Sequence, residues 1–338
     1  MHQFSAPGDP AEPARITDDP RPPEPRAAEP PAGPAAGTSN PTIGGLGTGH
    51  SPAPRPGRGG PGDRLRRVAY VTAAGDAAAE DDEREVVLAA WLGAGIEGVP
   101  VAWDDPGVDW ASFDAAVVRS AWDYIDRRDE FVAWARRAEA VTRLFNPASV
   151  IEWNTDKTYL RRLGVPIVPT RWFEPGEELD LPGWAEYVVK PVVSAGARDT
   201  VRTADRAAAE AHAARLLGQG RAVMVQPYLE SVEHEGELSL LYFGGEFSHA
   251  VRRRPMLAGT ESGHPLATLR DPDDDQFALA ERTLSAVKED LLYARVDVVR
   301  MPDGEPVLME FEVTEPYLFL RTELAAPELF ARALAARL

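Results

Sequence analysis

The chain contains no cysteine in 338 residues. That absence excludes disulfides, thiolate metal sites and cysteine nucleophiles together, so any metal has to sit on carboxylates or imidazoles. No stretch approaches the roughly 18 consecutive apolar residues of a membrane-crossing helix, and no basic start leads into an apolar run and a small-residue cleavage site. The expectation is a cytoplasmic protein with no membrane contact. Basic residues are scarce as well: 36 Lys and Arg stand against 54 Asp and Glu, a formal charge of -18. That balance argues against general nucleic-acid binding, which needs a basic face. Most of the acidic groups read as a solvated surface.

Residues 1–64 lack aliphatic and aromatic side chains almost entirely, and they hold 15 of the 31 prolines together with Ala and Gly runs. So little apolar surface cannot offset the entropy of ordering the segment, and a disordered tail is expected. GGLGTG (44–49) resembles a dinucleotide fingerprint but follows no strand and opens no helix, so it carries no weight.

From Arg67 the pattern changes. RVAYVTA reads as a strand, Asp82 to Gly93 as an amphipathic helix, and IEGVPVAW and FDAAVVRSAW as two more strands. Strands alternating with helices predict a parallel α/β unit, with ligands beyond the carboxyl ends of its strands. Arg119, Ser120, Asp123 and Tyr124 lie at such an end. A second block starts near Asn146: NTDKTYLRRLG predicts a helix start capped by Asn154 or Thr155 and carrying Lys157, and EYVVKPVVSAGARDT a strand bearing Lys190 before a small-residue loop. The third block is strand-rich and closes with the hairpin YARVDVVRMPDGEPVLMEFEV. Its Asp303-Gly304 turn puts Asp297 opposite Glu310.

That hairpin holds the main puzzle. In VLMEFEVTEPYLFL, Glu310 and Glu312 point the same way, roughly 7 Å apart, while Met309, Phe311 and Val313 are expected to face a core. With Asp297 they form an all-oxygen group of the kind Mg²⁺ or Mn²⁺ prefers. A plain solvated sheet face would read similarly, and the hairpin alone does not separate the two.

The ordered set does. Lys157 at a helix start, Lys190 in VVKP, the hinge VQPYL, Glu237 in an acidic segment, and a strand Asp followed by E-x-E resemble the ATP-grasp ligases from about Arg67 to Leu338. Among these the chain is most similar to the glutathione synthetase-like proteins, and there to the cyclo-ligases of D-cycloserine biosynthesis, which close O-ureido-D-serine. The elements carrying that likeness are VRSAWDY, FNP, WNTDK, KPVVSAG, QPYL, GELSLLYFGGEFSHAVRRRP, RVDVV and EFEVTEPYLF. One segment departs: MLAGTESGHPLATLRDP, after Pro255, matches the family poorly.

The resemblance implies an ATP-grasp fold of mixed α/β (α+β) class. Its parts would be the tail (1–64), an N-terminal parallel α/β domain (65–148), and a two-part ATP-binding module with a lid subdomain (149–228) and a core subdomain (229–338). It implies that Lys157 and Lys190 meet ATP phosphates and that the loop through Ser194, Ala195 and Gly196 closes over them. Gln226, Tyr228 and Leu229 would offer main-chain groups to adenine, and Glu237 would hold the ribose. Asp297, Glu310 and Glu312 would bind two Mg²⁺ or Mn²⁺ ions, Arg295 and Arg253 would stabilise developing charge, and Arg119, Ser120, Asp123 and Tyr124 would contact a small amino-acid-like substrate. The implied reaction is amide formation through an acyl phosphate, by cyclisation within one molecule. Intermolecular dipeptide or glutathione-like ligation, phosphotransfer without ligation, and inactive nucleotide binding are the alternatives. Dimers are common among similar proteins, and the sequence carries no interface signal.

Overall fold

A computed structural model describes residues 65–75, 81–254 and 267–338. The Pro-rich tail (1–64) and most of the divergent segment after Pro255 lie outside them. Three sheets follow one another along the chain. In the first, β1 (Arg66–Thr72), β2 (Ile96–Ala102), β3 (Ala115–Ser120) and β4 (Arg143–Phe145) pair in parallel in the order β2-β1-β3-β4. Between them run α1 (Arg84–Gly93) and α2 (Arg128–Glu139), with α3 (Ala148–Asn154) after β4. β1 and β3 are almost wholly buried runs of Val, Ala and Tyr, as a parallel strand covered on both faces requires.

The second sheet is antiparallel, in the order β5-β8-β6-β7, from β5 (Arg171–Phe173), β6 (Tyr187–Pro191), β7 (Val201–Thr203) and β8 (Val223–Pro227). The Ala-rich α4 (Arg206–Gly218) covers one face through Ala209, Ala213 and Leu216. After the single-turn α5 (Ser231–His234) comes the third sheet, in the order β11-β10-β9-β12-β13. It holds β9 (Glu237–Phe243), β10 (Glu246–Arg253), β11 (Ala267–Leu269), β12 (Tyr293–Arg300) and β13 (Pro306–Glu312), with α6 (Asp274–Ser285) before β12. The terminal helix α7 (Ala326–Ala335) returns to the first sheet. Its Phe330, Ala331 and Leu334 share one core cluster with Tyr70 of β1, Val87 and Trp91 of α1, Phe243 of β9 and Tyr293 of β12.

Two local expectations need correcting. Asn154 and Thr155 do not cap a helix bearing Lys157. Asn154 ends α3, and Lys157 opens a separate 3₁₀ turn (Lys157–Arg162) capped by Asp156, whose carboxylate accepts from the Thr158 amide at 2.9 Å. Nor does Met309 share the core face of Phe311. The β12–β13 register slips between Asp297/Glu310 and Val298/Leu308, a bulge that leaves Met309 unpaired. Phe311 and Val313 then join one core cluster with Leu308, while Met309 packs with Val168, Leu229 and Val299 in another.

Candidate active site

β12 and β13 lie against each other with Asp297 opposite Glu310 and Arg295 opposite Glu312. The strand that carries both glutamates is stapled in place by side chains far away in sequence. Asn154 accepts from the Val313 amide at 3.0 Å and donates to Phe311 O at 2.7 Å. Tyr159 Oη exchanges hydrogen bonds with the main chain of Phe311 at 2.7 and 2.8 Å. Asn146 donates to Tyr293 O at 3.0 Å and Val313 O at 2.7 Å. The outer edge of β13 is closed by Val168 N donating to Leu308 O and Leu308 N to Pro166 O. The FNP and WNTDK motifs therefore hold the acidic strand through their asparagines, a long-range role with no local sequence signal.

Asp297, Glu310 and Glu312 each bring a carboxylate oxygen within 4.8 Å of the others. Asp297 is fully buried and accepts from Ser239 Oγ at 2.6 Å, from Arg253 at 2.7 Å, and from Arg295 at 2.9, 3.0 and 3.2 Å. Arg253 also bonds Glu237 at 2.8 Å, and Arg295 reaches both Glu312 and Tyr317 O. Lys157 Nζ sits 2.7 Å from Glu310 and donates to Ser194 O at 2.7 Å, so one ammonium ties the KPVVSAG loop to the acidic strand. Lys190, half-buried on β6, makes no ion pair among the described residues.

These surroundings set the protonation of each group. Burial pushes Asp297 up, but Arg253 and Arg295 hold it below the usual carboxylate range; burial likewise opposes Glu310, which Lys157 and Lys190 bring down. Glu312 is pushed up to about 8, by burial first and then by Glu310 and Asp297, against the pull of Arg295. Glu315 reaches about 7, by burial first, with Lys157 opposing and Glu310 contributing. Burial lowers Lys190, partly offset by Glu310; burial also opposes Lys157, but Glu310, Glu312 and Glu315 together raise it. Like charges collected beside a cation without an ion-pair partner mark a functional-site candidate.

The KPVVSAG loop runs through left-handed backbone at Gly196 (φ 59°), Ala197 (φ 57°) and Asp199 (φ 56°). Ser194 is buried and its hydroxyl donates to Pro191 O at 3.2 Å. Ala195 O accepts from the Arg198 amide, and Arg198 reaches Asp126 at 3.1 Å across an exposed gap. At the hinge, Gln226 is buried and donates to Thr170 Oγ1 at 3.0 Å. The Tyr228 amide is already spent on Glu186 O at 3.0 Å, so of its main-chain groups only the carbonyl fits the expected adenine contact. Leu229 joins Val168, Val232, Val299 and Val307 in an apolar cluster edged by Met301 and Met309.

The four residues expected to meet substrate separate. Arg119 is 2% exposed, faces Glu83 (1% exposed) at 3.4 Å, and donates to Pro316 O at 3.1 Å. Glu83 in turn accepts from the Leu318 amide at 2.9 Å and the Leu320 amide at 2.6 Å. Ser120 is buried against Thr72 at 2.9 Å and Asp81 at 2.7 Å. Arg119 is thus engaged by Glu83 and by the segment after β13, and Ser120 by Thr72 and Asp81. Asp123 accepts from Trp103 Nε1 at 2.9 Å. Tyr124, though buried, reaches the Glu315 carboxyl with its hydroxyl. Ser239 and Glu83 were not singled out by the sequence. A Ser two residues after Glu237 on the same strand face is the one signal that could have found the first.

Comparison with known proteins agrees with this fold. Residues 68–146 match the family model of the D-cycloserine synthetase DcsG N-terminal domain. The chain is 38% identical over 283 residues to the cycloserine biosynthesis protein DcsG of Streptomyces lavendulae, covering 76% of this chain and 94% of that protein. It superposes on a crystal structure of D-cycloserine synthetase DcsG with a TM-score of 0.74 at 36% identity, over 80% of this chain and 99% of the other. A D-alanine–D-alanine ligase from Bacillus anthracis complexed with ATP shares the fold, with a TM-score of 0.57 at 15% identity over 80% of this chain and 98% of that one.

Proposed function

Since the chain belongs to the D-cycloserine synthetase family of ATP-grasp ligases, we propose that it closes a small amino-acid-like substrate on itself by forming an amide within one molecule. ATP-grasp ligases form carbon–nitrogen bonds as ATP becomes ADP and phosphate. The substrate carboxylate takes the terminal phosphoryl group, ADP leaves, and the substrate's own nitrogen attacks the carbonyl carbon. Phosphate departs with the C–O electron pair and the nitrogen loses a proton. The relatives' part in cycloserine biosynthesis makes specialised antibiotic metabolism the setting, and ATP supply puts it in the cytoplasm. No helix among the described residues is long and apolar enough to cross a membrane.

The observation that carries this reading is the three-carboxylate group beside Lys157 and Lys190. All its donors are oxygens, and burial, with the repulsion of Glu310 and Asp297 added, keeps Glu312 near pKa 8, a state a divalent cation would relieve. Mg²⁺ or Mn²⁺, two ions by the chemistry of the class, would be held by Glu310, Glu312 and Asp297 and would neutralise phosphate charge. Both Asp297 oxygens already carry Arg or Ser donors, so its share is the smallest unless Arg253 swings away. Lys190 supplies a point charge for phosphate, Lys157 holds the KPVVSAG loop over it, and the cluster around Leu229 and Met309 fits the adenine ring. Arg295, fixed by Asp297 and Glu312, offers pre-positioned charge where oxyanion character develops. The first sheet is read as a substrate domain, the second as the lid and the third as the core.

The test is ADP release from the full chain with Mg²⁺ across amino acids and their ureido and hydroxy derivatives, with mass spectrometry of the product. The expected result is ADP and a cyclised amide from O-ureido-D-serine. A phosphorylated product that accumulates without an amide overturns the ligase step.

A further inference from the structure

Glu315 follows the acidic strand by three residues and differs from every other carboxylate of the site. Asp297 has Arg253 and Arg295, Glu237 has Arg253, Glu310 has Lys157 and Glu312 has Arg295. Among the described residues Glu315 makes no ion pair. Its side chain meets a neutral hydroxyl, that of Tyr124, while Lys157 acts on it only through space because its ammonium is committed to Glu310 and Ser194 O.

The main chain that carries this side chain is held on both sides. Trp122 Nε1 donates to Glu315 O at 3.0 Å, Arg119 to Pro316 O at 3.1 Å, Tyr293 Oη to Thr314 O at 2.8 Å, and Arg295 to Tyr317 O at 3.2 Å. Arg119 of β3, Trp122 just after it, and Tyr293 and Arg295 of β12 thus fix the main chain on both sides of a half-buried carboxyl group that has no ion-pair partner among the described residues. A carboxylate kept short of its counter-charge in this way is costly unless a partner arrives. The proposed substrate brings one: an amino acid carries an ammonium group beside the carboxylate to be activated. The cations of the site suit that carboxylate and its phosphate, and Glu315 is the acceptor left over.

We propose that Glu315, oriented by Tyr124, is the anchor for the substrate's ammonium group and so selects amino acids over their desamino counterparts. The assignment rests on the ligase reading above. A purely structural Glu315, serving only as Tyr124's acceptor, would be replaced without loss by Gln, which keeps the shape and the acceptor oxygen but loses the charge.

Calorimetric binding to the full chain, with Mg²⁺ and a non-hydrolysable ATP analogue, separates the two. The probes are O-ureido-D-serine and the same molecule with hydrogen in place of the ammonium. Wild type is expected to bind the ammonium form about 10- to 100-fold more tightly, the range of one charge-assisted contact. Glu315→Gln should bring the two probes to near-equal affinity with nucleotide-analogue affinity unchanged, and Tyr124→Phe should narrow the gap by a smaller factor. Glu315→Asp should restore part of it, and it serves with Tyr124→Phe if the Gln variant does not fold. Undiminished discrimination in these variants, or none in wild type, overturns the assignment. Because binding is read without turnover, a failed ligase reading shows instead as missing amide product while the ammonium preference persists.

Discussion

Glu310 and Glu312 stand two residues apart on one strand face, yet their surroundings charge them differently. Burial raises both, but Lys157 and Lys190 bring Glu310 below its ordinary range while Glu312 stays near 8. A Gln at 312 imitates a neutral acid, so Glu312→Gln should melt at the wild-type temperature or slightly above it, with ATP turnover lost. Glu310→Gln leaves Lys157 half-buried without its carboxylate, and a cost of about 1–3 kcal/mol is expected, seen as a lower melting temperature together with lost turnover. Full turnover in Glu312→Gln would sink the metal assignment. The same asymmetry sets a pH dependence. Because the folded pKa of Glu312 lies above its ordinary value of 4.5, the stability this group contributes is present in acid and lost as pH rises through about 8. Glu315, near 7, adds to that slope. A divalent ion requires the ionised carboxylate, so metal affinity should rise through the same window with release of about one proton near pH 7. Titration calorimetry of Mg²⁺ in buffers of different ionisation enthalpy checks this, and heats independent of buffer would refute it.

β13 shows how one element is placed by others. Glu83 and Arg119 form a buried ion pair that also caps the main chain of Pro316, Leu318 and Leu320, the turn that carries Glu315 and the Tyr317 carbonyl held by Arg295. Removing one partner strands the other, so Arg119→Ala should cost about 3–5 kcal/mol in urea unfolding and expose the Leu318 and Leu320 amides to hydrogen exchange. Unchanged protection at those two amides would show that the clamp does not order the turn. Arg119 was legible as important, but its partners Glu83 and Pro316 O were not, because periodicity identifies the end of a strand but not what covers it. The Asp297–Glu310 register was legible, since Asp303-Gly304 fixes the hairpin within a few residues. The bulge at Met309 was not: it is a local change of phase in a pattern whose period-2 reading assumes none. The roles of Asn146, Asn154 and Tyr159 were hidden for a different reason, because their partners lie about 150 residues away and no spacing rule spans that distance.

At the scale of the molecule, the candidate site exists only because distant parts of the chain share a core. Tyr70, Trp91, Phe243, Tyr293 and Phe330 belong to one cluster, so the first sheet, the strands under the acidic group and the terminal helix are packed as one apolar body. Against a formal charge of -18, four cations, Lys157, Lys190, Arg253 and Arg295, stand around the acidic group. Residues 1–60, poor in apolar side chains, have nothing to add to that packing by composition. A chain beginning at residue 61 is therefore expected to unfold at the same temperature as the full chain and to release ADP at the same rate. Calorimetric melting and a coupled ADP assay on the two proteins decide it. A drop of several degrees, equivalent to about 1 kcal/mol or more, would mean that the Pro-rich segment contributes to the fold after all.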